Sequence, residues 1–403
     1  MKYPFGTITI TPKTKKLINK ILDSGRISGG KYVREFETKF ARLVGTKEAV
    51  ALSSGTDADA LALAVLYDFG ARRNDEVIVP ALSFVATGNA VLQAGFVPRF
   101  VDIDLRTLNI DPSKIEKAIT PRTKAIMPVH LMGKPADMDR INRIARKHKL
   151  LVVEDAAEAQ SAKYKGREIG TLGDMAAFSL YIAHIISTGE GGIITTDNSK
   201  YAEILRSLRA HGRACKCAAC VLNTGKGGCA KRFEYNTDIR FIFERIGFSA
   251  KMNELEAAIG LGYLDIYPEI FRKRKRNFLY IRKKFAKFRP ALLTIDPGPG
   301  EEMAPYAFPV ILSKGLKFTR DEFVAYLEAA GIDTRSLFLS MPTQCRGFGY
   351  LGYKPGNFPA AEYAADNGLH IGLHQDITKA HIDYFIHLVE KFLETKNQTR
   401  SIP

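Results

Sequence analysis

The pattern of apolar and polar positions predicts alternating strands and helices over the first two-thirds of the chain. Short runs rich in Val, Ile, Leu, Ala and Phe indicate buried strands. They are EAVALSS, DEVIVPAL, VPRFVDI, KAIMPVHL, LLVVEDA, MAAFSL and GGIITTD. Helices are predicted between several of them, at Asp57–Phe69, Phe84–Gln93, Ala136–His148 and Ser199–His211. This alternation is typical of the α/β class, with a mostly parallel sheet covered by helices.

The pattern changes at Pro268, after which a smaller α+β unit is predicted. It contains a basic helix in FRKRKRNFLYIRKKFAKFR, a Pro/Gly turn, the strand PYAFPVIL, the helix FTRDEFVAYLEAAG and a last helix from about Thr378 to Leu393. Because domains usually have roughly 100–200 residues, a chain of 403 predicts more than one domain. We expect an N-terminal arm at 1–30, a large domain at 31–267 with a cysteine-rich insertion at 213–233, and a small C-terminal domain at 268–403.

Composition and charge exclude several classes of protein. Hydrophobic residues make up 46% and charged residues 25%, which excludes a mainly disordered chain. No window offers the ~18 uncharged apolar residues of a membrane span, and no secretory signal is visible, so we expect a cytoplasmic protein without a membrane partner. The net charge of +16 is compatible with a merely basic surface, with an anionic substrate or with an acidic protein partner. The densest basic cluster, Arg272 to Arg289, carries Phe and Ile at helical spacing, which indicates a solvated helix face and not nucleic-acid binding.

Two turns that follow predicted strands carry candidate chemistry. In SSGTDADALALAV a helix begins at Gly55 and Thr56, where free N–H groups and the helix dipole favour a phosphate, although an ordinary βα turn looks the same. Asp155 ends the strand LLVVED, at the edge where open α/β sheets place ligand-binding groups. A buried carboxylate there needs a cation such as a protonated ring nitrogen, whereas a helix N-cap is the structural alternative.

Three long motifs in the same order resemble those of the sugar aminotransferase family of pyridoxal-phosphate enzymes, the DegT/DnrJ/StrS group. They are PALSFVATGNAVLQAGFVPRFVDID, GDMAAFSLYIAHIISTGEGGIITTD and GFSAKMNELEAAIGLGYL. The resemblance runs from about Tyr32 to the C-terminus. It implies the aspartate-aminotransferase-like fold (fold type I), pyridoxal or pyridoxamine phosphate (PLP or PMP) as cofactor, and a homodimer with the active site at its interface.

The resemblance also implies roles for individual residues. Gly55, Thr56 and Ser179 would hold the cofactor phosphate, Phe84 would stack on the pyridine ring, and Asp155 would pair with the ring nitrogen. An ion pair at that nitrogen keeps the ring protonated and makes it an electron sink.

Two cofactor-binding positions depart from the family pattern. Glu158 stands where the family usually has Gln near the ring hydroxyl. Ser249 stands where the family usually has an Asn that crosses the dimer interface to the phosphate, so that contact would be shorter or lost.

The most informative departure is His184. Aminotransferases of the family have at this position a Lys that binds the cofactor covalently, and this chain has no Lys between Lys165 and Lys200. The surrounding AHIISTGEGG resembles the branch of sugar 3-dehydratases, which have His instead. The resemblance implies that His184 is the general base, and that it could also help the sugar C3 hydroxyl to leave. An inactive copy, an engineered substitution and a retained aminotransferase are the alternatives.

Four of the five cysteines lie within fifteen residues, in the form C-x-C-x2-C-x8-C. They are Cys215, Cys217, Cys220 and Cys229. Such a cluster in a cytosolic protein favours a metal or iron–sulfur site, and zinc and free thiols are the alternatives. The flanking HGR and KRF resemble the insertion of the iron–sulfur 3-dehydratases, which implies a 2Fe–2S cluster, with 4Fe–4S as the second option.

One cluster ligand of those dehydratases follows the strand aspartate, where this chain has Ala156 and Ala157, so Cys220 would replace it. The fifth cysteine, Cys345, is predicted to be a loop or pocket residue.

Together these features predict reductive C3 deoxygenation of a nucleotide-linked 4-keto-6-deoxy sugar. The partner would be a flavin/iron–sulfur reductase or a ferredoxin. Three alternatives remain: a non-reductive 3-dehydratase with structural zinc and glutamate as amino donor, a sugar aminotransferase, and a non-catalytic member of the family.

Overall fold

The computed structural model describes residues 1–215, 217 and 228–398. The strands in this part of the chain are β1 (Glu48–Leu52), β2 (Glu76–Pro80), β3 (Val97–Val101), β4 (Thr123–Ile126), β5 (Leu151–Asp155), β6 (Lys163–Tyr164), β7 (Arg167–Glu168), β8 (Met175–Ser179), β9 (Gly192–Thr196), β10 (Leu292–Leu293), β11 (Glu301–Glu302), β12 (Ala307–Leu312), β13 (Thr334–Ser336) and β14 (Gly368–Gly372).

The α-helices are α1 (Pro12–Asp23), α2 (Lys31–Val44), α3 (Gly55–Ala64), α4 (Ala86–Gln93), α5 (Pro112–Ala118), α6 (Met138–His148), α7 (Ser199–Leu208), α8 (Glu254–Phe285), α9 (Arg320–Ala329), α10 (Met341–Gln344), α11 (Pro359–Asn367) and α12 (Lys379–Gln398). Short 3-10 helices lie at Val65–Phe69, Leu131–Gly133, Ile239–Phe241, Ala286–Phe288 and Arg346–Leu351.

A seven-stranded sheet with the order β1-β9-β8-β5-β4-β2-β3 forms the centre of the larger part of the molecule. The seven strands predicted over the first two-thirds of the chain are all in this sheet, and the strand predicted in PYAFPVIL is β12 of another sheet. The pairs β2-β3, β2-β4, β4-β5 and β5-β8 are parallel, while β9 is antiparallel to both of its neighbours. The prediction of a mostly parallel α/β sheet is therefore confirmed.

The sheet is covered on both faces, which explains why its strands have continuous apolar runs. All five residues of β2 are buried. Val77 and Val79 belong to one hydrophobic cluster and Ile78 to another, because successive side chains of a strand point to opposite faces. The first cluster continues into the C-terminal unit, and the second contains the aromatic residues Phe36 and Phe40 of α2.

The C-terminal unit has a four-stranded antiparallel sheet with the order β10-β12-β14-β13. Its helix α9 begins with a capping box, in which the Thr319 side chain accepts from the Glu322 backbone and the Glu322 side chain accepts from the Thr319 backbone. A third, small sheet has the order β11-β6-β7.

Helix α8 connects the two units without a break. A capping box at Asn253 and Glu256 starts it, and Pro268 lies inside it. A proline in a helix removes one backbone donor, and 32 residues are in the helix despite that loss. The boundary placed between residues 267 and 268 therefore falls within one continuous helix, and the division into domains stays a proposal.

The N-terminal arm begins on the C-terminal unit. The Tyr3 backbone N–H donates to the Gly331 carbonyl (2.9 Å), and the Tyr3 hydroxyl donates to the Gly372 carbonyl (2.9 Å). Further along, the Thr9 N–H donates to the Tyr263 hydroxyl of α8 (2.8 Å).

Within the described residues, no helix has both the length and the apolar character required to cross a membrane.

Candidate functional site

The carboxyl ends of β5 and β8 place Asp155 and Ser179 at one edge of the central sheet, because these two strands are parallel neighbours. Asp155 is buried; its Oδ2 accepts from the Thr87 hydroxyl (2.7 Å) and its Oδ1 from the Ala157 N–H (3.2 Å). Burial raises the pKa of Asp155 although both hydrogen bonds oppose the shift. A carboxylate held in this way is suited to a cationic partner such as the protonated nitrogen of a pyridine ring.

The start of α3 lies against the end of β8. The Ser54 side chain caps the helix by accepting from the Asp57 N–H (3.0 Å). A Cβ added at Gly55 would lie 2.6 Å from the Ser179 Cβ, so glycine is required by this close approach. The structure thus brings Gly55, Thr56 and Ser179 together, with the free N–H groups of a helix start beside a hydroxyl, and this arrangement fits a phosphate.

Phe84 lies in the connection between β2 and α4. Its side chain is 58% exposed, and its ring centroid is 5.8 Å from that of Phe338. The exposed ring is accessible for stacking on a planar ligand. Its predicted contact with the cofactor stays a prediction.

Glu158 is buried close to Asp155, and one of its oxygens accepts from the Met132 N–H (2.6 Å). Burial, with a smaller contribution from Asp155, raises the pKa of Glu158 to about 8. The carboxyl group is therefore mostly protonated at neutral pH. A neutral carboxyl has one donor and one acceptor, as the amide of Gln does, and this explains physically how Glu can replace Gln here.

His184 follows β8 in a turn in which its N–H donates to the Tyr181 carbonyl (2.9 Å). Its imidazole packs on the Tyr306 ring with a centroid distance of 5.4 Å and an interplanar angle of 30°. In the described part of the chain no group forms a hydrogen bond with the buried Nδ1. Burial, and next the charge of Arg274, lower the pKa of His184 to about 4. The imidazole is therefore neutral at physiological pH and able to accept a proton.

Tyr306 and Arg274 belong to this site, and the sequence analysis missed both. Tyr306 is buried, and Arg274 is 3% exposed and donates to the Tyr306 carbonyl (3.4 Å) and to Gln375 Oε1 (3.3 Å). Burial lowers the pKa of Arg274 to about 10. The signal for Arg274 was available, since it stands four residues after Ile270 and four before Phe278, on the buried face of α8. The predicted solvated face of the basic helix does not include this residue.

Asp59, on α3, is a third residue that the sequence analysis missed. It is 4% exposed, and its Oδ1 has no hydrogen-bond partner in the described part of the chain. Burial, with a further contribution from Asp155, raises its pKa well above the usual range. Asp59 therefore adds a protonated acid to the surroundings of Asp155.

Ser249 is exposed, and its backbone pairs with Ala210 in an isolated antiparallel bridge. The backbone carbonyl of the next residue, Ala250, accepts from the Ser53 N–H (3.2 Å), close to the start of α3. The predicted contact of Ser249 with the phosphate of a partner subunit stays a prediction.

The cysteine-rich segment (213–233) is described only in part. Cys215 and Cys229 are half-buried, Cys217 is exposed, and Cys220 lies outside the described residues. Burial raises the pKa of the Cys217 thiol, and the nearby Cys215 and Cys229 raise it further, so the three thiols are neighbours. Within the residues that the structure describes, no group of three or more His, Cys, Asp or Glu side chains has a metal-binding arrangement. The described residues alone therefore do not supply a complete ligand set.

The sheet-edge site, as the term is used below, consists of the start of α3 and the side chains of Phe84, Asp155, Glu158, Ser179 and His184. Three observations on these residues fit PLP or PMP: a buried carboxylate that forms no ion pair within the described residues, a helix start at which glycine is required, and an exposed aromatic ring.

Comparisons with known proteins identify the family. The model of the DegT/DnrJ/EryC1/StrS aminotransferase family matches residues 9–390. The dTDP-4-dehydro-2,6-dideoxy-D-glucose 3-dehydratase of Saccharopolyspora spinosa is 35% identical over 97% of this chain and 86% of that protein. GDP-perosamine synthase of Caulobacter vibrioides is 37% identical over 91% of each chain.

A solved structure of GDP-4-keto-6-deoxy-D-mannose-3-dehydratase from Escherichia coli, with bound hydrated PLP, matches with a TM-score of 0.83. The two chains are 32% identical, and the match covers 96% of this chain and 99% of the other. The expected fold type I and the expected enzyme of the sugar 3-dehydratase and aminotransferase type are confirmed. The iron–sulfur cluster, the zinc alternative and the reductase partner stay predictions. These similarities show that the chain belongs to the DegT/DnrJ/EryC1/StrS aminotransferase family.

Proposed function

We propose that this protein is a PMP-dependent 3-dehydratase of a nucleotide-linked 4-keto-6-deoxy sugar. The observation that carries the proposal is His184, a neutral buried imidazole at the position where aminotransferases of the family have their lysine. The absence of any Lys between Lys165 and Lys200 supports it, because no other side chain of that stretch could bind the cofactor covalently. The relatives named as 3-dehydratases support the same reaction class.

The sheet-edge site would hold the cofactor through several elements at once. Asp155 would pair with the ring nitrogen, Gly55 and Thr56 with Ser179 would bind the phosphate, and Phe84 would cover the ring. The chemistry that bound PMP supplies is an electron sink next to the sugar. The remaining steps depend on protons that the chain itself must move.

His184 is suited to this task because its pKa of about 4 makes the imidazole neutral at physiological pH. One ring nitrogen of a neutral imidazole carries a proton, and the other is free to accept one. The Tyr306 ring orients the imidazole, and burial keeps bulk water from Nδ1. The imidazole would accept a proton from the bound reactants. As imidazolium, next to Arg274, it would give up that proton readily to the departing C3 hydroxyl.

His184→Asn tests the proposal, because Asn removes the base and adds no group that binds the cofactor covalently. We expect turnover of a 4-keto-6-deoxy sugar nucleotide to fall by about 10²–10⁴-fold, the usual contribution of a general base. The absorption spectrum of the bound cofactor should persist. Unchanged turnover in the variant would refute the role of His184. Release of an aminated sugar by the wild type, with L-glutamate as donor, would establish the aminotransferase instead.

We further propose that the cysteine-rich segment holds an iron–sulfur cluster, which would accept electrons from a flavin/iron–sulfur reductase or a ferredoxin. Support comes from the three neighbouring thiols and from the fourth cysteine nearby in sequence. Four thiolates would also suit zinc, and a non-reductive dehydratase would follow. Iron, sulfide and zinc assays on protein purified without oxygen separate the two. About two iron and two sulfide per chain, or about four of each, support the cluster, and zinc without iron contradicts it.

A homodimer is proposed as well, since Ser249 is exposed near the start of α3 and would reach a second copy. Light scattering of the cofactor-loaded protein tests this point.

A further inference from the structure

Arg335 lies on β13, near the candidate site but outside the roles assigned so far. Its side chain is exposed, and its guanidinium carbon is 4.3 Å from the centroid of the Phe5 ring. The two residues are 330 positions apart, and the N-terminal arm brings them together. A guanidinium that stacks on an aromatic face keeps the N–H groups along its rim available for hydrogen bonds.

No acidic side chain neutralises this charge in the described part of the chain. Arg335 forms no ion pair and no side-chain hydrogen bond there, whereas Arg289, for example, pairs with Asp296. Asp333, two residues before Arg335, instead accepts from the Phe5 N–H (3.3 Å). Among the described residues, Phe5 thus contacts the guanidinium and no carboxylate pairs with it.

Several contacts place Arg335 beside the sheet-edge site. Tyr306 packs on His184; burial raises the pKa of Tyr306, and the charge of Arg335 opposes that shift. Phe338, three residues after Arg335, contacts the exposed Phe84 ring at 5.8 Å. His370 is the partner of Arg335 in the pairing of β13 with β14. The pKa of His370 is lowered to about 3, mainly by burial and secondly by the charge of Arg335.

We infer that Arg335 binds an oxyanion of the reactant that enters the sheet-edge site, and that Phe5 positions its guanidinium. A guanidinium presents a fork of donors that matches the oxygens of a phosphate or a carboxylate. Two reactants of the proposed function carry such a group: the diphosphate of the sugar nucleotide and the carboxylate of an amino donor. The identity of the oxyanion rests on the proposed function, whereas the presence of the binding site does not.

Equilibrium binding to the cofactor-loaded protein tests the inference without turnover, so failure of the His184 chemistry would leave the test valid. The probes are GDP, CDP, UDP and dTDP by calorimetry, and L-glutamate by the change in the cofactor spectrum. We expect Arg335→Gln to weaken binding of the preferred diphosphate by about 10- to 100-fold, as expected for charge-assisted hydrogen bonds. Arg335→Lys should lose less, because it keeps the charge but not the fork.

Two further variants sharpen the test. Phe5→Leu keeps the charge of Arg335 and removes the ring beneath it, so binding should weaken less than in Arg335→Gln. Arg289→Gln removes a surface charge beyond the end of α8 and should leave binding unchanged.

If Arg335→Gln weakens the binding of L-glutamate alone, the oxyanion site is still supported and its ligand is identified as a carboxylate. Unchanged binding of every probe in Arg335→Gln, or a wild type that binds none of them, would overturn the inference.

Discussion

The sheet-edge site and the cysteine-rich segment differ in how the fold supports them. At the sheet edge each side chain follows a strand or starts a helix, and its polar atoms have fixed neighbours, as Asp155 has in Thr87 and Ala157. The cysteine-rich segment lies in the connection between α7 and α8, and its three described cysteines belong to no helix or strand. Geometry that a sheet provides exists before the ligand binds, whereas a metal site in a connection commonly takes its geometry from the metal.

Replacement of two cysteines of the cysteine-rich segment should give the largest loss of activity. It also tests whether the two regions function independently. We expect Cys217→Ser with Cys229→Ser to abolish iron binding and all turnover that depends on a reductant. The spectrum of the bound cofactor should remain that of the wild type, because the sheet-edge site has its own supports. Metal assays and spectra of the purified variant measure both. Cys345→Ser, outside the segment, is the matched control and should keep the metal content. Loss of the cofactor in the double variant would show that the regions depend on each other.

Asp155→Asn should give the next largest effect. The substitution keeps the shape of the side chain and an oxygen acceptor but removes the negative charge that would face the ring nitrogen. We expect turnover to fall by about 10²–10³-fold, the usual effect of losing one oriented electrostatic group. The measurement is kcat of the cofactor-loaded protein with its absorption spectrum. Thr87→Val, which removes one hydrogen bond to Asp155 and leaves the charge, should lose much less. Wild-type turnover in Asp155→Asn would refute the assignment.

The pH dependence should show a smaller but distinctive effect. A general base acts in its neutral form, and the pKa of His184 is lowered to about 4, first by burial and then by Arg274. Activity that depends on this base is therefore complete above its pKa and is lost as the pH falls through about 4. We expect kcat/KM to be flat on its acidic side between about pH 5 and 7. An ordinary histidine, with a pKa near 6.5, would instead lower kcat/KM roughly tenfold per pH unit below that value.

Arg274 provides a control for that profile. Arg274→Gln removes the buried charge, so the acidic limb should move to higher pH, while Arg274→Lys should leave it close to the wild-type position. If kcat/KM of the wild type instead falls below about pH 6.5, the assignment of a neutral, buried His184 is contradicted.

Much of the fold was predictable from the sequence because local patterns decide it. The continuous apolar runs predicted every strand of the central sheet, since strands covered on both faces have no polar alternation. The course of α8 through Pro268 was not predictable in this way. The stabilisation from packing along the whole helix outweighs the loss of the one backbone hydrogen bond that the proline cannot form. The change in composition at Pro268 does not reveal this.

The candidate site was predictable only where its residues lie in recognisable motifs. Asp155, Gly55 and His184 each stand in a run with a distinctive neighbourhood, and the structure places all three at the sheet edge or next to it. Tyr306 and Arg335 carry no local signal. Their positions depend on contacts between segments far apart in the chain, such as that of Tyr306 with His184 and that of Arg335 with Phe5.

Glu158→Gln should have the smallest effect, and it tests the protonation state of one residue of the sheet-edge site. Burial raises the pKa of Glu158 to about 8, so at pH 7 the side chain is a neutral acid with nearly the shape of Gln. The Gln carbonyl can still accept from the Met132 N–H, and we expect kcat/KM at pH 7 to stay within about threefold of the wild type. Above pH 8 the wild-type carboxyl ionises next to Asp155 and its activity should decline, while the variant should show no such decline. Glu158→Ala is the contrasting variant, because it leaves the buried Met132 N–H without its acceptor and should lose more at every pH. A Gln variant that is a hundredfold less active at pH 7 would show that Glu158 works as an ionised carboxylate, and that burial does not control its charge.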